Sequence, residues 1–271
     1  MKAIARLGTS LVGLAALMLA GCGAEPSLPV APKPYRPLPA PLPIGIPPYG
    51  GQPAPPVAGS SAQALLMEMG QAVGAMRSAR YTGVMYCRGS VGNKPKGVDK
   101  LSNGEWEVTS TYQVRYQRPE AYRIEVTKCT NQNSVGMKMV VRNDRAEVKL
   151  PGLLGLINVN LSLGDAQMKN FRGHRLDEGS LTGLARRFSN PPAPDARLVG
   201  EMPLSGRMLD LVEIPRAPSF DRTLLKEVIG IDRQTRLPLL HGMFTAERKV
   251  YEMKITQIQL NADVGSGFDD L

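Results

Sequence analysis

The sequence predicts an α+β, β-rich domain: an open antiparallel half-barrel of about nine to eleven strands, with helices covering its concave face. Three observations lead to this prediction. Segments with strand character follow one another from Tyr81 onwards, their connections are of turn length, and only two segments have helical periodicity. Turn-length connections join antiparallel neighbours and exclude the helical crossovers that a parallel sheet requires. Consecutive strands therefore form a meander.

The chain begins with the features of a secretion signal. Two positive charges precede an apolar run from Leu7 to Ala20, which is shorter than the roughly 20 residues that a membrane-spanning helix needs. The run ends at Leu19-Ala20-Gly21-Cys22, which resembles the bacterial lipobox. That resemblance implies that residues 1–21 are a cleaved lipoprotein signal peptide. The alternative is an ordinary signal peptide followed by an incidental cysteine.

The lipobox resemblance also implies acylation of Cys22 with palmitate-like chains. Two or more acyl chains hold a protein stably in a membrane. The residue after Cys22 is Gly23 and not Asp. An Asp at this position would resemble an inner-membrane retention signal. We therefore expect a lipid-anchored outer-membrane protein that faces the periplasm.

Residues 22–59 are predicted to be a lipidated, proline-rich tether. Thirteen of the 23 prolines lie between residues 25 and 57. Proline fixes φ and removes a backbone donor, so such a run stays extended and solvated. The run is either a spacer that lifts the domain from the membrane or a flexible leader without a length requirement. The globular domain then occupies residues 60–271, enough for one sizeable core.

The composition argues against several classes of function. The formal net charge is +9, but basic residues alternate with acids, as in Arg142-Asn143-Asp144-Arg145, so nucleic acid binding is not expected. Two His and three Cys are too few for Cys/His zinc sites, and no Gly-x-Ser-x-Gly elbow or phosphate-binding loop is present. His174 lacks a nearby paired acid, which favours a surface or packing role. We expect no metal, no cofactor and no enzymatic activity, although a hydrolase with an unrecognised site stays a third class.

The elements follow in order along the domain. A capping box, Ser60-x-x-Gln63, predicts the start of an amphipathic helix that continues to Ser78. A second helical pattern includes Leu184 and Phe188 and stops before Pro191-Pro192. Strands are predicted at 81–88, 105–117, 122–128, 137–142, 146–150, 208–214, 224–231, 237–244 and 249–260.

One face of the predicted strand 105–117 is apolar. Alternate positions carry Trp106, Val108, Tyr112, Val114 and Tyr116, whereas the intervening positions are polar. A curved sheet must cover such a face, and few helical segments are available. The helices either fill the hollow or leave a cavity.

Several short motifs follow one another along the predicted domain. They are Ser78-Ala79-Arg80-Tyr81-Thr82-Gly83, Arg115-Tyr116-Gln117-Arg118-Pro119, Tyr122-Arg123-Ile124-Glu125, Val140-Val141-Arg142-Asn143-Asp144, Ile231-Asp232-Arg233-Gln234-Thr235-Arg236-Leu237-Pro238, and a last strand with Ile255, Ile258 and Asn261 before Phe268. In this order they resemble the LolA/LolB family of periplasmic lipoprotein carriers. The resemblance covers residues 60–271 and extends to the sensor domains of RseB-type regulators. It implies a half-barrel whose concave side is plugged by helices over a hydrophobic cavity that receives acyl chains.

The resemblance and the apolar face together predict a ligand cavity and a lid. Arg118 matches the arginine of an Arg-Pro step that in LolA bonds to lid-helix carbonyls, which implies a gating role; a strand-end arginine reaching solvent is the alternative. Methionine side chains adapt to flexible acyl chains in a cavity, but they also fill ordinary hydrophobic cores. The predicted cavity wall is Trp106, Val108, Tyr112, Val114, Tyr116, Ile124, Val126, Met137 and Met139, and the predicted lid residues are Arg118, Leu65, Met69, Leu184 and Phe188.

Cys87 and Cys129 are the only thiols of the predicted domain. Because the periplasm is oxidising, a structural disulfide between them is expected. Cys129 shares parity with Arg123 and Glu125, which predicts that it lies on the polar face. The uncharged stretch 152–161 is interpreted as a buried strand or cavity lid, with a membrane-inserting loop as the alternative.

We therefore expect a protein that binds a lipid or lipoprotein acyl chains for carriage or insertion at the outer membrane, without changing the ligand chemically. Helices near residues 62–78 and 178–189 would swing as the lid. The alternative is an RseB-like regulatory module that senses lipid or misfolded envelope protein and passes the signal to an envelope protein partner.

Overall fold

The computed structural model describes residues 61–90, 98, 100–151, 158–215 and 221–265. The leader, Cys22, the tether, residues 152–157 and Phe268 lie outside this part of the chain. Within the described residues, no helix combines the length and the apolar character needed to cross a membrane.

Eleven antiparallel strands form one open sheet, which confirms the predicted fold class. The strand order is β6-β5-β4-β3-β2-β1-β11-β10-β9-β8-β7, so two meanders meet where β1 pairs with β11. The edge strands β6 and β7 do not pair with each other, so the sheet is a half-barrel. The strands are β1 (Ser78–Gly89), β2 (Trp106–Gln117), β3 (Ala121–Cys129), β4 (Lys138–Arg142), β5 (Arg145–Lys149), β6 (Asn158–Ser162), β7 (Arg197–Leu204), β8 (Arg207–Ile214), β9 (Lys226–Asp232), β10 (Pro238–Phe244) and β11 (Lys249–Leu260).

The two edge strands are the ones that the strand pattern misses. β7 contains Gly200 and Pro203, which weaken a strand signal and are tolerated mainly at edges. β6 (Asn158–Ser162) overlaps the end of the uncharged stretch 152–161, interpreted as a buried strand or cavity lid; a strand forms there, but Asn158 and Asn160 are exposed because it is at the edge of the sheet. An edge strand pairs on one side only, so it needs less of the regular alternation that marks interior strands.

Helix α1 (Ala62–Ala75) begins one residue later than the capping box predicts. Its N-cap is Ser61, whose side-chain oxygen accepts a hydrogen bond from the Ala64 N–H at 3.1 Å. Gln63 is then the second helical residue, and its amide donates to the Pro194 and Ala196 carbonyls at 3.0 and 3.3 Å. The predicted box at Ser60 is therefore wrong, because Gln63 bonds to a distant segment and not to the cap.

Helices α1 and α2 (Leu181–Phe188) pack on each other over the β7–β10 half of the sheet. They approach so closely that a Cβ at Gly70 would lie 2.5 Å from the Ser189 Cβ. Arg187 of α2 reaches Glu227 of β9 at 2.6 Å, which places α2 above that strand. Thr182 of α2 also contacts the Tyr122 hydroxyl of β3 at 2.5 Å, and the remainder of the concave face over β1–β4 is left to other parts of the chain.

Candidate functional site

A cavity lies between the sheet and the segment that connects β6 to α2. Side chains from β1, β2, β3, β4 and β11 form its wall. Its volume is about 110 Å³. Most of its wall is apolar, so it suits an apolar guest. Seven of the nine residues predicted for the wall line it: Val108, Tyr112, Val114, Ile124, Val126, Met137 and Met139.

Trp106 and Tyr116 do not line this cavity. They stand at the first and next-to-last positions of β2, beyond the wall residues of that strand. The Trp106 ring packs on Phe171, with 6.1 Å between centroids, and the Tyr116 ring packs on Tyr122 at 5.0 Å. Their aromatic rings are used in packing at the two ends of β2 and not as ligand surface.

The cavity is covered by residues 163–180, which we call the cover, and not by the helices. Met168, His174, Leu176 and Gly179 of the cover line it together with sheet residues. The predicted lid residues Leu65, Met69, Leu184 and Phe188 are buried but absent from the lining. Of the two predicted lid segments, 62–78 contributes no lining residue, whereas 178–189 overlaps the cover at Gly179 and Ser180. The lid role of the helices stays a prediction.

Arg118 also lies outside the cavity. It is exposed at the end of β2, beside a surface groove that it shares with Met67 of α1 and Arg186 of α2. Its backbone N–H donates to the Arg77 carbonyl at 2.9 Å. Its exposed side chain follows the end of β2 at Gln117, in agreement with the alternative of a strand-end arginine that reaches solvent. Its gating role stays a prediction.

Ion pairs attach the cover to the loop before β9, through Asp221, and to the turn between β4 and β5, through Asp144, whereas Asp177 lies within the cover. Arg172 pairs with Asp221, with 2.6 Å between Nε and Oδ2. Arg175 pairs with Asp177 at 2.9 Å and with Asp144 at 3.1 Å. Within the described chain, the backbone hydrogen bonds of residues 166–179 stay inside the cover and its flanks, as in Leu176 N–H to the Met168 carbonyl. The cover is thus not part of the strand ladder.

A buried polar cluster lies beside the cavity. The His241 Nε2 is 2.7 Å from Glu227 Oε2, and Arg187 contacts the other oxygen of the same carboxylate at 2.6 Å. The His174 ring meets Tyr251 edge-on, with 5.0 Å between centroids, and lies 5.9 Å from the His241 ring. The cluster therefore joins the cover, α2, β9, β10 and β11.

Burial decides the charge states in this cluster. It lowers the pKa of His174 well below the ordinary value, and the nearby His241 and Arg187 lower it further. Burial also lowers the pKa of His241, against the opposing effect of Glu227. For Glu227 burial alone would raise the pKa, but the hydrogen bonds from His241 and Arg187 and the positive charge of Arg187 hold it below the ordinary value. At neutral pH the cluster contains two neutral imidazoles and one ion pair.

Sequence reasoning missed most of this cluster. His174 was given a surface or packing role, and its 3% exposure leaves only packing. His241 and Glu227 were not singled out, although each is a polar residue within an apolar strand segment, which is the one available signal. Pairing across strands decides their proximity, and sequence spacing does not reveal it.

The predicted disulfide is wrong. Cys87 and Cys129 are both free and buried. Cys87 lies opposite Val108 and Cys129 lies opposite Ser110, so β2 stands between the two cysteines. Two strand spacings amount to about 9.5 Å, more than the roughly 7 Å that a disulfide can bridge between Cα atoms. Burial raises the pKa of the Cys87 thiol to about 12, the opposite of a reactive thiolate.

Cys129 also lies on the opposite face from the one predicted. The register between β2 and β3 shifts at one point: Tyr112 pairs with Val126, but Thr111 pairs with Lys128. The extra residue, Thr127, is a bulge that inverts the alternation beyond it. Cys129 therefore lines the cavity, with its sulfur 3.3 Å from the Ser110 hydroxyl.

Within the described residues, no group of three or more His, Cys, Asp and Glu side chains is arranged to hold a metal ion. No known family profile matches the sequence, and no curated protein matches it.

Several solved structures are similar to this chain. Lipoprotein LppX of Mycobacterium tuberculosis is 14% identical, with a TM-score of 0.42 and coverage of 75% of this chain and 97% of that one. A putative outer membrane lipoprotein-sorting protein domain of Vibrio parahaemolyticus is 10% identical, with a TM-score of 0.40 and coverage of 76% and 95%. MucB of Pseudomonas aeruginosa, in complex with MucA, is 20% identical, with a TM-score of 0.41 and coverage of 76% and 59%.

The chain thus spans little more than half of that MucB chain and nearly the whole of the other two. The open antiparallel sheet with helices on one face is the architecture that the sequence analysis predicts.

Proposed function

We propose that this chain binds a lipid or the acyl chains of a lipoprotein in the cavity under the cover, without changing the ligand chemically. In this proposal, Cys22 carries the acyl anchor and residues 22–59 are the tether. The domain of residues 60–271 then faces the periplasm from the outer membrane, where it carries or inserts its ligand.

The single observation that carries the proposal is the unfilled apolar space between the cover and the sheet. Each methylene transferred from water into such a space contributes about 0.8 kcal/mol. A cavity of about 110 Å³ accepts a short apolar segment as it stands. A whole acyl chain needs more room, so binding it requires the cover to move away from the sheet.

The cover is suited to such movement. The backbone hydrogen bonds of residues 166–179 stay within the cover and its flanks, and the Leu163 N–H donates to the Asp144 carbonyl in the β4–β5 turn, so residues 166–179 can move without breaking a strand pair. Opening must break the ion pairs of Arg172 and Arg175 and withdraw Phe171 from Trp106. These attachments keep the empty cavity closed to water, and ligand burial compensates for their loss.

The test uses the mature chain, residues 22–271, with Cys22→Ser so that its own acyl chains do not interfere. Mass spectrometry of the organic extract of this purified chain should find lipid. Val114→Trp places a large ring in the cavity wall and should abolish the retained lipid. Gln113→Trp, on the exposed opposite face of the same strand, is the matched control.

Absence of lipid from the unmodified chain, or equal retention by both Trp variants, would contradict the proposal. A stoichiometric protein partner that copurifies without extractable lipid would instead favour the regulatory alternative.

A further inference from the structure

Three tyrosines place phenol rings in the apolar wall of the cavity. They are Tyr81 of β1, Tyr112 of β2 and Tyr251 of β11. Tyr112 lies over Gly83, where an added Cβ would be 2.4 Å from the ring. The Tyr251 hydroxyl reaches the cover, where a Cβ at Gly179 would lie 2.7 Å from it. Glycines on both the sheet and the cover thus make room for these rings.

The hydroxyls of these three tyrosines form no hydrogen bond to another of the described residues. By contrast, the Tyr122 hydroxyl, on the same wall, contacts the Thr182 hydroxyl at 2.5 Å. Tyr81 and Tyr251 are only 7% and 3% exposed as residues, and both line the cavity. Buried phenols normally have a hydrogen-bond partner. Three phenols without one, on one cavity wall, are therefore available to a guest.

Burial raises the pKa of all three phenols above the ordinary value, and for Tyr81 the neighbouring Tyr122, Tyr112 and Tyr251 raise it further. Each phenol consequently keeps its proton at any physiological pH. The wall offers neutral O–H donors to the cavity.

The positive charges near the cavity are already paired. Arg175 is held by Asp177 and Asp144, and Arg187 by Glu227. An anionic head group in the cavity would have to compete with these carboxylates for a cation, and its burial without one is costly. A neutral acceptor, such as an ester carbonyl, needs only a donor.

We propose that Tyr81, Tyr112 and Tyr251 form a polar subsite that recognises the uncharged ester carbonyl of an acyl chain, so that the cavity selects esterified chains over free carboxylates and plain hydrocarbon. This inference rests on the proposed function, because it specifies the ligand class of the same cavity. It adds that selectivity comes from neutral phenols and not from a cation.

The experiment is equilibrium dialysis of the mature Cys22→Ser chain at pH 7.5 against methyl octanoate, octanoate or octane, with bound ligand quantified by gas chromatography. These probes match the small volume of the closed cavity and differ in their polar group. We expect methyl octanoate to bind more tightly than the other two. The variants Tyr81→Phe, Tyr112→Phe and Tyr251→Phe should each weaken ester binding by about two- to tenfold where a hydrogen bond is lost, and leave octane binding unchanged.

Tyr86→Phe is the matched control. It lies on the same strand as Tyr81 but on the other face, where its hydroxyl bonds to Glu107 at 3.0 Å. Tighter binding of octanoate, or ester binding that all three cavity variants leave unchanged, would overturn the subsite while hydrophobic binding itself stands. If none of the three probes binds, the proposed function fails and the subsite fails with it.

Discussion

The two buried histidines should make the domain less stable in mild acid. They are the only histidines of the chain, so any titration near their ordinary pKa belongs to them. Burial lowers the pKa of both, and that of His174 is lowered well below the ordinary value. His174 faces His241, Tyr251 and Arg187, with Glu178 4.0 Å away at the edge. Protonation would therefore place a second cation near Arg187.

The sign and size of this pH effect on stability follow from proton linkage. Below the ordinary histidine pKa the histidines of the unfolded chain bind protons that those of the folded chain do not bind. The free energy of unfolding therefore falls as the pH falls. The stability is complete above the ordinary pKa and is lost progressively below it. Each such proton changes the free energy of unfolding by about 1.4 kcal/mol per pH unit. If one or both histidines stay unprotonated in the folded chain, we expect the free energy of unfolding to be about 1.4 to 3 kcal/mol lower at pH 5.5 than at pH 7.5.

Urea unfolding of the mature Cys22→Ser chain at the two pH values measures this difference. His174→Phe keeps an aromatic ring against Tyr251 and should remove most of the pH dependence. His241→Gln retains a donor for Glu227 and should remove the remainder. Equal stability at pH 7.5 and 5.5, or an undiminished pH dependence in the double variant, would refute the assignment of neutral buried imidazoles.

Three further outcomes are expected. Gly179→Ala inserts a methyl group 2.7 Å from the Tyr251 hydroxyl, and such overpacking should lower the free energy of unfolding by about 1 to 3 kcal/mol in urea titrations. After denaturation without reductant, the Cys22→Ser chain should react with two maleimides, at Cys87 and Cys129. Reaction with none would show that the two cysteines form the disulfide after all. Cells that express the full chain should incorporate a palmitate analogue into it, and the Cys22→Ala variant should not; a label that survives this change would contradict the anchor.

Much of the fold was predictable because it depends on local patterns. Alternation of apolar and polar side chains along β2 identifies one buried face, and turn-length connections require antiparallel neighbours. The same alternation placed Val108, Tyr112 and Val114 on the cavity wall, since a regular strand keeps its parity. The pattern failed at Cys129 because one bulge at Thr127 reverses the parity beyond it. A bulge has no reliable signal in a single sequence.

The sequence by itself determined the strands of the sheet interior, the two helices and the apolar face, because hydrophobic periodicity is a property of each segment alone. Only the tertiary structure decided which segment covers which half of that face. The helices pack over β7–β10, residues 163–180 cover the cavity, and the Glu227 carboxylate on β9 meets His241 of β10. Such contacts join residues far apart in the chain, and they depend on register and on competition among segments for one buried surface.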